Sequence, residues 1–258
     1  MRECRDVNGQ RAVSVIITTF NRPELLREAL SSVAAQESLP DEVIVVADDG
    51  RFPEMYLSGS ALRVKTLMTV GRRGASAARN LGARAAHREW LAFLDDDDWW
   101  LPAYLKSARH TAESLDADVV CTSFLVSRGT LLEPEKSAPI DLRSSDFFSH
   151  NPGLRASNLV IRRTFFLDLG GFAEDLPVFN DIDLGLRLAA VPALRYGRVA
   201  DRLVVFRHHE GPRLTSRRTQ AMRAAIPVFL ARHHNRMSPV QRAAFLKRVK
   251  RLWDIEFD

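Results

Sequence analysis

Two cysteines in 258 residues, Cys4 and Cys121, are too few for a disulfide framework or a cysteine-based zinc site. Cys121 lies in an apolar stretch and reads as an inert core residue. No apolar run approaches the roughly 20 residues that a membrane span needs. Residues 1–11 are polar, and the apolar run after them is too short for a signal peptide, which points to a cytoplasmic protein. There is no internal repeat and no clear linker, so the chain reads as one sizeable domain, or one domain with an appendage. No nucleic-acid motif is present, and the basic residues lack interleaved aromatics, so a nucleic-acid partner is not expected.

What is present starts with charge. The net charge of +5 is unevenly spread: residues 211–258 hold 11 Lys and Arg against 3 Asp and Glu, and residues 1–210 hold 26 against 29. The reading is a mildly acidic body over 1–210 and a basic helical tail over 211–258, in two helices broken near Ser238-Pro239. Such a tail leaves open a peripheral contact with an anionic membrane at its inner face, or with a phosphorylated partner. Of the 37 basic residues 32 are Arg, which points to a GC-rich bacterial genome.

Four consecutive aspartates, Asp95 to Asp98, sit between an apolar run (Trp90 to Leu94) and Trp99-Trp100. The apolar run reads as a buried strand. Acidic groups at the end of a buried strand repel one another and lose hydration, and a bound cation removes both costs. Carboxylate oxygens suit hard cations such as Mg²⁺ or Mn²⁺.

Strands are expected at 13–17, 43–47, 63–67 and 90–94. Helices are expected after Pro23, with Asn21 as a candidate cap, and over Gly74 to His87, which is rich in small residues. This alternation implies a mostly parallel twisted sheet flanked by helices. Such sheets bind ligands at the carboxyl ends of their strands. Three polar clusters fall there: Thr18 to Arg22, Asp48 to Gly50, and Asp95 to Asp98. The second half reads as strands at 119–126, 158–161 and 204–206, a loop-rich stretch at 128–156, and a helix at 181–190.

Five segments in order resemble the family 2 glycosyltransferases of GT-A fold. They are Val13–Arg22, Val45–Gly50, Gly74–Gly82, Phe93–Pro102, and Gly170–Phe172 followed by Asn180–Arg187. The third is similar to that family's G-x-s-x-A-R-N-x-G helix and the fourth to its D-x-D segment. The resemblance covers about residues 12–210, with a nucleotide-sugar half at about 12–102 and an acceptor half at about 103–210. It implies inverting transfer from a UDP-sugar, assisted by Mg²⁺ or Mn²⁺, to a saccharide, lipid-linked, carrier-bound or small-molecule acceptor. A homodimer is left open. A sugar-phosphate nucleotidyltransferase or a non-catalytic nucleotide-sugar binder are the alternatives; the first wants a glycine-rich loop where this chain has Thr18–Pro23. With no membrane segment, a processive polysaccharide synthase is not expected.

By the same resemblance Asp181 is the general base, next to Asn180 where the family usually has Glu. Thr18, Phe20 and Asp49 match the uracil pocket, Phe20 standing where Tyr is common. Arg22 and Arg79 are candidates for nucleotide or diphosphate binding. Asp95 would hold the ribose and Asp97 the metal. Asp96 is a further candidate for nucleotide contact, because the register could slip to Asp96 and Asp98. Phe206–His209 resembles a late Y-R-x-H segment, with His209 fitting the metal-contacting histidine better than His208. Asn158 is placed on the acceptor side, and Asp183 is expected solvated or paired with an Arg.

Overall fold

The computed structural model describes residues 11–50, 62–135, 137–208 and 220–255. Strand β1 (Val13–Thr19) is buried along its whole length and leads into helix α1 (Pro23–Ala34), which has proline in its first turn. Asn21 does not cap that helix. It takes a left-handed φ of 51°, and Arg22 occupies the cap position without a side-chain bond. The next elements are β2 (Glu42–Ala47), β3 (Val64–Met68), α2 (Ala75–Ala85), β4 (Trp90–Asp95), β5 (Trp99–Trp100) and α3 (Tyr104–Ser114). Beyond them lie β6 (Val119–Arg128), β7 (Leu131–Pro134), α4 (Ser144–Ser149), β8 (Leu159–Arg162), α5 (Arg163–Asp168), α6 (Asn180–Leu188) and β9 (Tyr196–Arg207). Two helices, α7 (Gln220–His233) and α8 (Pro239–Trp253), follow.

The described strands form one nine-stranded sheet in the order β3-β2-β1-β4-β8-β6-β9-β5, with β7 paired to β6. Strands β3, β2, β1 and β4 are parallel, with α1 crossing from β1 to β2 and α2 from β3 to β4. Beyond β4 the sheet is mixed: β8 runs antiparallel to β4 and to β6, while β6 and β9 are parallel.

Alternation along β1 explains its burial on both faces. Val13, Val15 and Ile17 join a core with α1 and α3 through Leu26, Val33, Tyr104 and Leu105. Ile16 points into the opposite core, which holds Ala78 and Ala83 of α2 together with Phe166 and Leu184. Small residues let α2 lie close to the sheet: a Cβ on Gly82 would stand 2.5 Å from the Ile16 side chain. Cys121 is fully buried, and burial pushes its thiol up to about 12, as an inert core residue requires.

The basic helices share the second core. Met222, Ile226, Phe229, Phe245 and Val249 join the cluster that contains Ile16 and Phe93. Ser238 and Gln241 form a capping box that starts α8 at the expected break.

Helix α6 is pressed against α4 at Gly185, where a Cβ would fall 2.1 Å from the buried Phe147 ring. Gly185→Ala is therefore expected to destabilise the fold by up to about 2 kcal/mol, the overpacking cost of about 1–3 kcal/mol being offset by the roughly 1 kcal/mol that Ala returns as a better helix former. An unchanged denaturation midpoint would show that the contact can relax.

Candidate active site

The topology brings the three polar clusters together. β1 lies between β2 and β4, Thr18 is paired with Asp95, and Thr19 with Ala47, one residue before Asp48. The carboxyl ends of three adjacent parallel strands therefore open on one crevice.

The four aspartates divide on leaving β4. Asp95 Oδ1 accepts from Thr18 Oγ1 at 3.3 Å and from Arg79 Nη2 at 2.5 Å. Asp96 turns back to the β1 loop: Thr19 Oγ1 donates to it at 2.7 Å, and Arg22 Nη1 lies 3.3 Å away. Burial raises Asp96 to about 6 against the pull of the Thr19 hydroxyl. Asp97 is half-buried and pairs with Arg22 at 2.9 Å. Asp98 is buried, accepting from Ser157 Oγ at 2.6 Å and from the Arg207 N–H at 3.3 Å. Burial, then the charges of Asp97 and Asp95, push Asp98 well above the ordinary carboxylate range.

Oxygens of Asp95, Asp97 and Asp98 all lie within 4.8 Å of one another. Three carboxylates held so close, one of them buried and driven toward its neutral form, fit a hard divalent cation. This set joins Asp98 to the Asp95 and Asp97 pair, while Asp96 is engaged by the β1 loop.

Across the crevice, α6 begins after Phe179, whose φ is +65°. Asp181 lies in its first turn, half-buried, and its buried Oδ1 has no hydrogen-bond partner among the described residues. Burial raises Asp181 to about 6; Arg79 opposes the rise and Asp95 adds to it. Asn180 is turned away from it, its Nδ2 donating to Ser76 Oγ on α2 at 3.0 Å. Arg79 links the two sides. It is buried, bonds Asp95, acts electrostatically on Asp181, and has no partner for Nε or Nη1 among the described residues.

Phe20 is 40% exposed at the mouth, with the Arg72 guanidinium 4.4 Å from its ring centre. Asp49 is half-buried and accepts from the Asn21 N–H at 2.9 Å. Asp48, buried beside it, shapes the neighbouring loop. It accepts from Thr69 Oγ1 at 2.7 Å and from the N–H groups of Arg73 and Gly74 at 2.8 Å.

The family model described as glycosyl transferase family 2 matches residues 14–167, more than half of the chain. The chain belongs to glycosyl transferase family 2. An uncharacterised glycosyltransferase of Haemophilus influenzae is 24% identical over 203 residues, 76% of this chain and 68% of that protein. Uncharacterised glycosyltransferase YwdF of Bacillus subtilis is 27% identical over 194 residues, covering 69% and 68%. Among solved structures, S. aureus TarS 1-349 in complex with UDP-GlcNAc superposes with a TM-score of 0.67 at 22% identity, over 94% of this chain and 73% of that one. In a longer TarS structure this chain spans 44% of the length. The likeness to TarS is one of fold.

The family match ends before Asp181 and the basic helices, so the rest of the site stands on geometry. His209 lies outside the described residues. His208 is half-buried, and its N–H donates to the Ser127 carbonyl at 2.8 Å. Asn158 does not line the acceptor side. It is fully buried, donating to the carbonyls of Thr122 at 2.7 Å and Gly153 at 2.9 Å and accepting from the Arg155 N–H at 2.8 Å. Trp100 packs: it stacks on Tyr104 at 4.2 Å and donates to the Ser157 carbonyl.

Two residues escaped the sequence reading. Ser157 couples Asp98 to β4, its hydroxyl also accepting from the Asp95 N–H at 3.1 Å. Arg155 spreads over Phe206 at 4.5 Å and Phe124 at 5.0 Å, and its charge acts on both Asp98 and Asp181. Neither stands in a motif, and a lone Arg or Ser in a loop-rich stretch carries no signal of its own.

Proposed function

We propose that this family 2 glycosyltransferase moves a sugar from a UDP-sugar to an acceptor hydroxyl with inversion at the anomeric carbon. The observation that carries the reading is Asp181, a carboxylate whose buried Oδ1 has no partner among the described residues and which feels the charge of Arg79, the arginine that bonds Asp95 of the aspartate floor. A single displacement needs that arrangement: a base on one face of the sugar and a charged, leaving-group-binding floor on the other.

In this reading residues of about 12–102 hold the donor, and about 103–210 supply the acceptor side. Phe20 stacks on the base, Asp49 accepts from its N–H, and Thr18 sets Asp95 toward the ribose. Arg79 presents its unpartnered N–H groups to the diphosphate, and Arg22 steadies Asp97. Asp95, Asp97 and Asp98 would hold Mg²⁺ or Mn²⁺, which supplies neutralisation of the departing diphosphate. Asp181 takes the hydroxyl proton as the oxygen attacks; burial raises its basicity for that task. The UDP-GlcNAc bound to TarS makes UDP-N-acetylhexosamines the first donors to try.

A panel of nucleotide sugars scored by thermal shift with Mn²⁺ tests the donor class. A rise in Tm confined to UDP derivatives is expected. Equal shifts with purine nucleotides, or none with any UDP-sugar, would overturn it.

A further inference from the structure

Asp183 stands two residues from Asp181 on the same helix, and the structure gives it different surroundings. It is fully buried. Arg187 Nε donates to it at 2.9 Å and Arg232 Nη1 at 3.1 Å, and His233 Nε2 lies 3.0 Å from its Oδ1. Although burial works against ionisation, the His233 hydrogen bond and the Arg187 charge hold Asp183 at about 2, so it is a permanent anion.

Its partners come from beyond the family match and reach several elements. Arg232 and His233 end α7, and His233 is buried, its ring 4.8 Å from that of Phe229. Arg232 also forks onto both carboxylate oxygens of Asp175, ahead of α6. Arg187 donates through Nη1 to the Leu169 carbonyl at 2.9 Å and through Nη2 to that of Gly171 at 2.7 Å. The next residue, Phe172, donates its N–H to Asn80 on α2 and packs its ring under Arg79.

Helix α6 has only nine residues, and its N-cap offers no side-chain bond. Residues i and i+2 point to opposite sides of a helix. A short helix pinned on one side by a buried anion cannot turn about its axis without breaking that contact, so its other side is held in direction.

We propose that Asp183, Arg187, Arg232 and His233 are positioning residues for the general base: the end of α7 sets the rotation of α6 and thereby aims Asp181 at the acceptor hydroxyl. This rests on Asp181 being the base. It makes the basic C-terminal helices part of the catalytic apparatus, acting through α6 and without touching substrate.

The test compares His233→Phe, which keeps the packing on Phe229 and removes the donor, with His233→Gln, which restores one at a similar reach. Both are assayed as the full chain, below their unfolding temperatures. In His233→Phe, kcat is expected to fall ten- to a hundredfold with donor KM within twofold, and the acid limb of its pH profile to move. His233→Gln is expected to recover most of kcat. A structural role alone would lower Tm in both and leave kcat of the folded protein unchanged.

Wild-type kcat in His233→Phe, a loss confined to KM, or no recovery in His233→Gln would overturn the proposal. If His233→Phe does not fold, Arg232→Lys, which keeps the charge and loses the fork, is held to the same kcat and KM criteria. An Asp181→Asn control with wild-type turnover would reject the base assignment instead, so the two failures are distinguishable.

Discussion

Asp181→Asn is expected to lower kcat by about 10³-fold or more while UDP-sugar affinity stays within about threefold. The substitution is isosteric, Oδ1 has no hydrogen-bond partner among the described residues to lose, and the remaining amide oxygen can keep the Ala156 N–H. Arg79 retains its bond to Asp95, so the donor floor keeps its geometry. What disappears is the lone pair that receives the acceptor proton. Single-turnover rates and a donor titration separate the two effects. Turnover near wild type would remove Asp181 as the base.

The pH dependence carries the same assignment. Asp181 is raised to about 6, chiefly by burial, so activity should be present above that pH and fall as pH drops through it. The limb lies near 6, well above the usual carboxylate range, because the folded protein disfavours the charged form. Asp96 is raised to about 6 as well, so it needs its own control. A limb that survives in Asp181→Asn and vanishes in Asp96→Asn would reassign it. The sign for stability is the reverse of the sign for activity. Both groups hold their proton more tightly folded than unfolded, so their contribution weakens as pH rises from about 4 to about 6.

Asp97→Ala is expected to abolish the cation dependence of UDP binding, which in the native protein should be at least tenfold between Mn²⁺ and chelator. The charges on the floor explain the size. Arg79 answers Asp95, and Arg22 answers Asp96 and Asp97, while among the described residues Asp98 has a hydroxyl and an amide N–H for hydrogen-bond donors. A diphosphate adds further negative charge to a crevice where carboxylates already repel. Asp98→Asn supplies an independent reading. Removing a buried, repelled carboxylate should raise Tm without added cation and shrink the rise that Mn²⁺ produces. UDP binding of equal strength in Mn²⁺ and in chelator, in the native protein, would sink the metal assignment.

Much of the fold was legible because its signals are local. Apolar runs gave β1, β2 and β4 to within a residue or two, and Ser238-Pro239 gave the start of α8. The mixed half was less legible. There β6 runs ten residues through polar positions that tertiary neighbours cover, and β9 runs twelve residues through polar positions that stay half-buried or exposed. Asn21 looked like a cap by residue type, yet the loop spends its backbone N–H on Asp49 and turns it left-handed. The family resemblance places Asn158 on the acceptor side, yet three backbone bonds consume it.

The chain by itself determined which chemistry is available: a row of carboxylates after a buried strand, two aspartates in the first turn of a short helix, and arginines between them. Only the tertiary structure decided which of these groups work together. Side-chain type is written in the sequence, but direction is not. Four adjacent aspartates leave one strand end, yet Asp96 turns to the β1 loop while Asp95, Asp97 and Asp98 converge. In the same way Asp181 and Asp183 differ by two positions and face opposite sides of one helix. One is raised to about 6 beside the crevice, and the other is held near 2 against the end of α7.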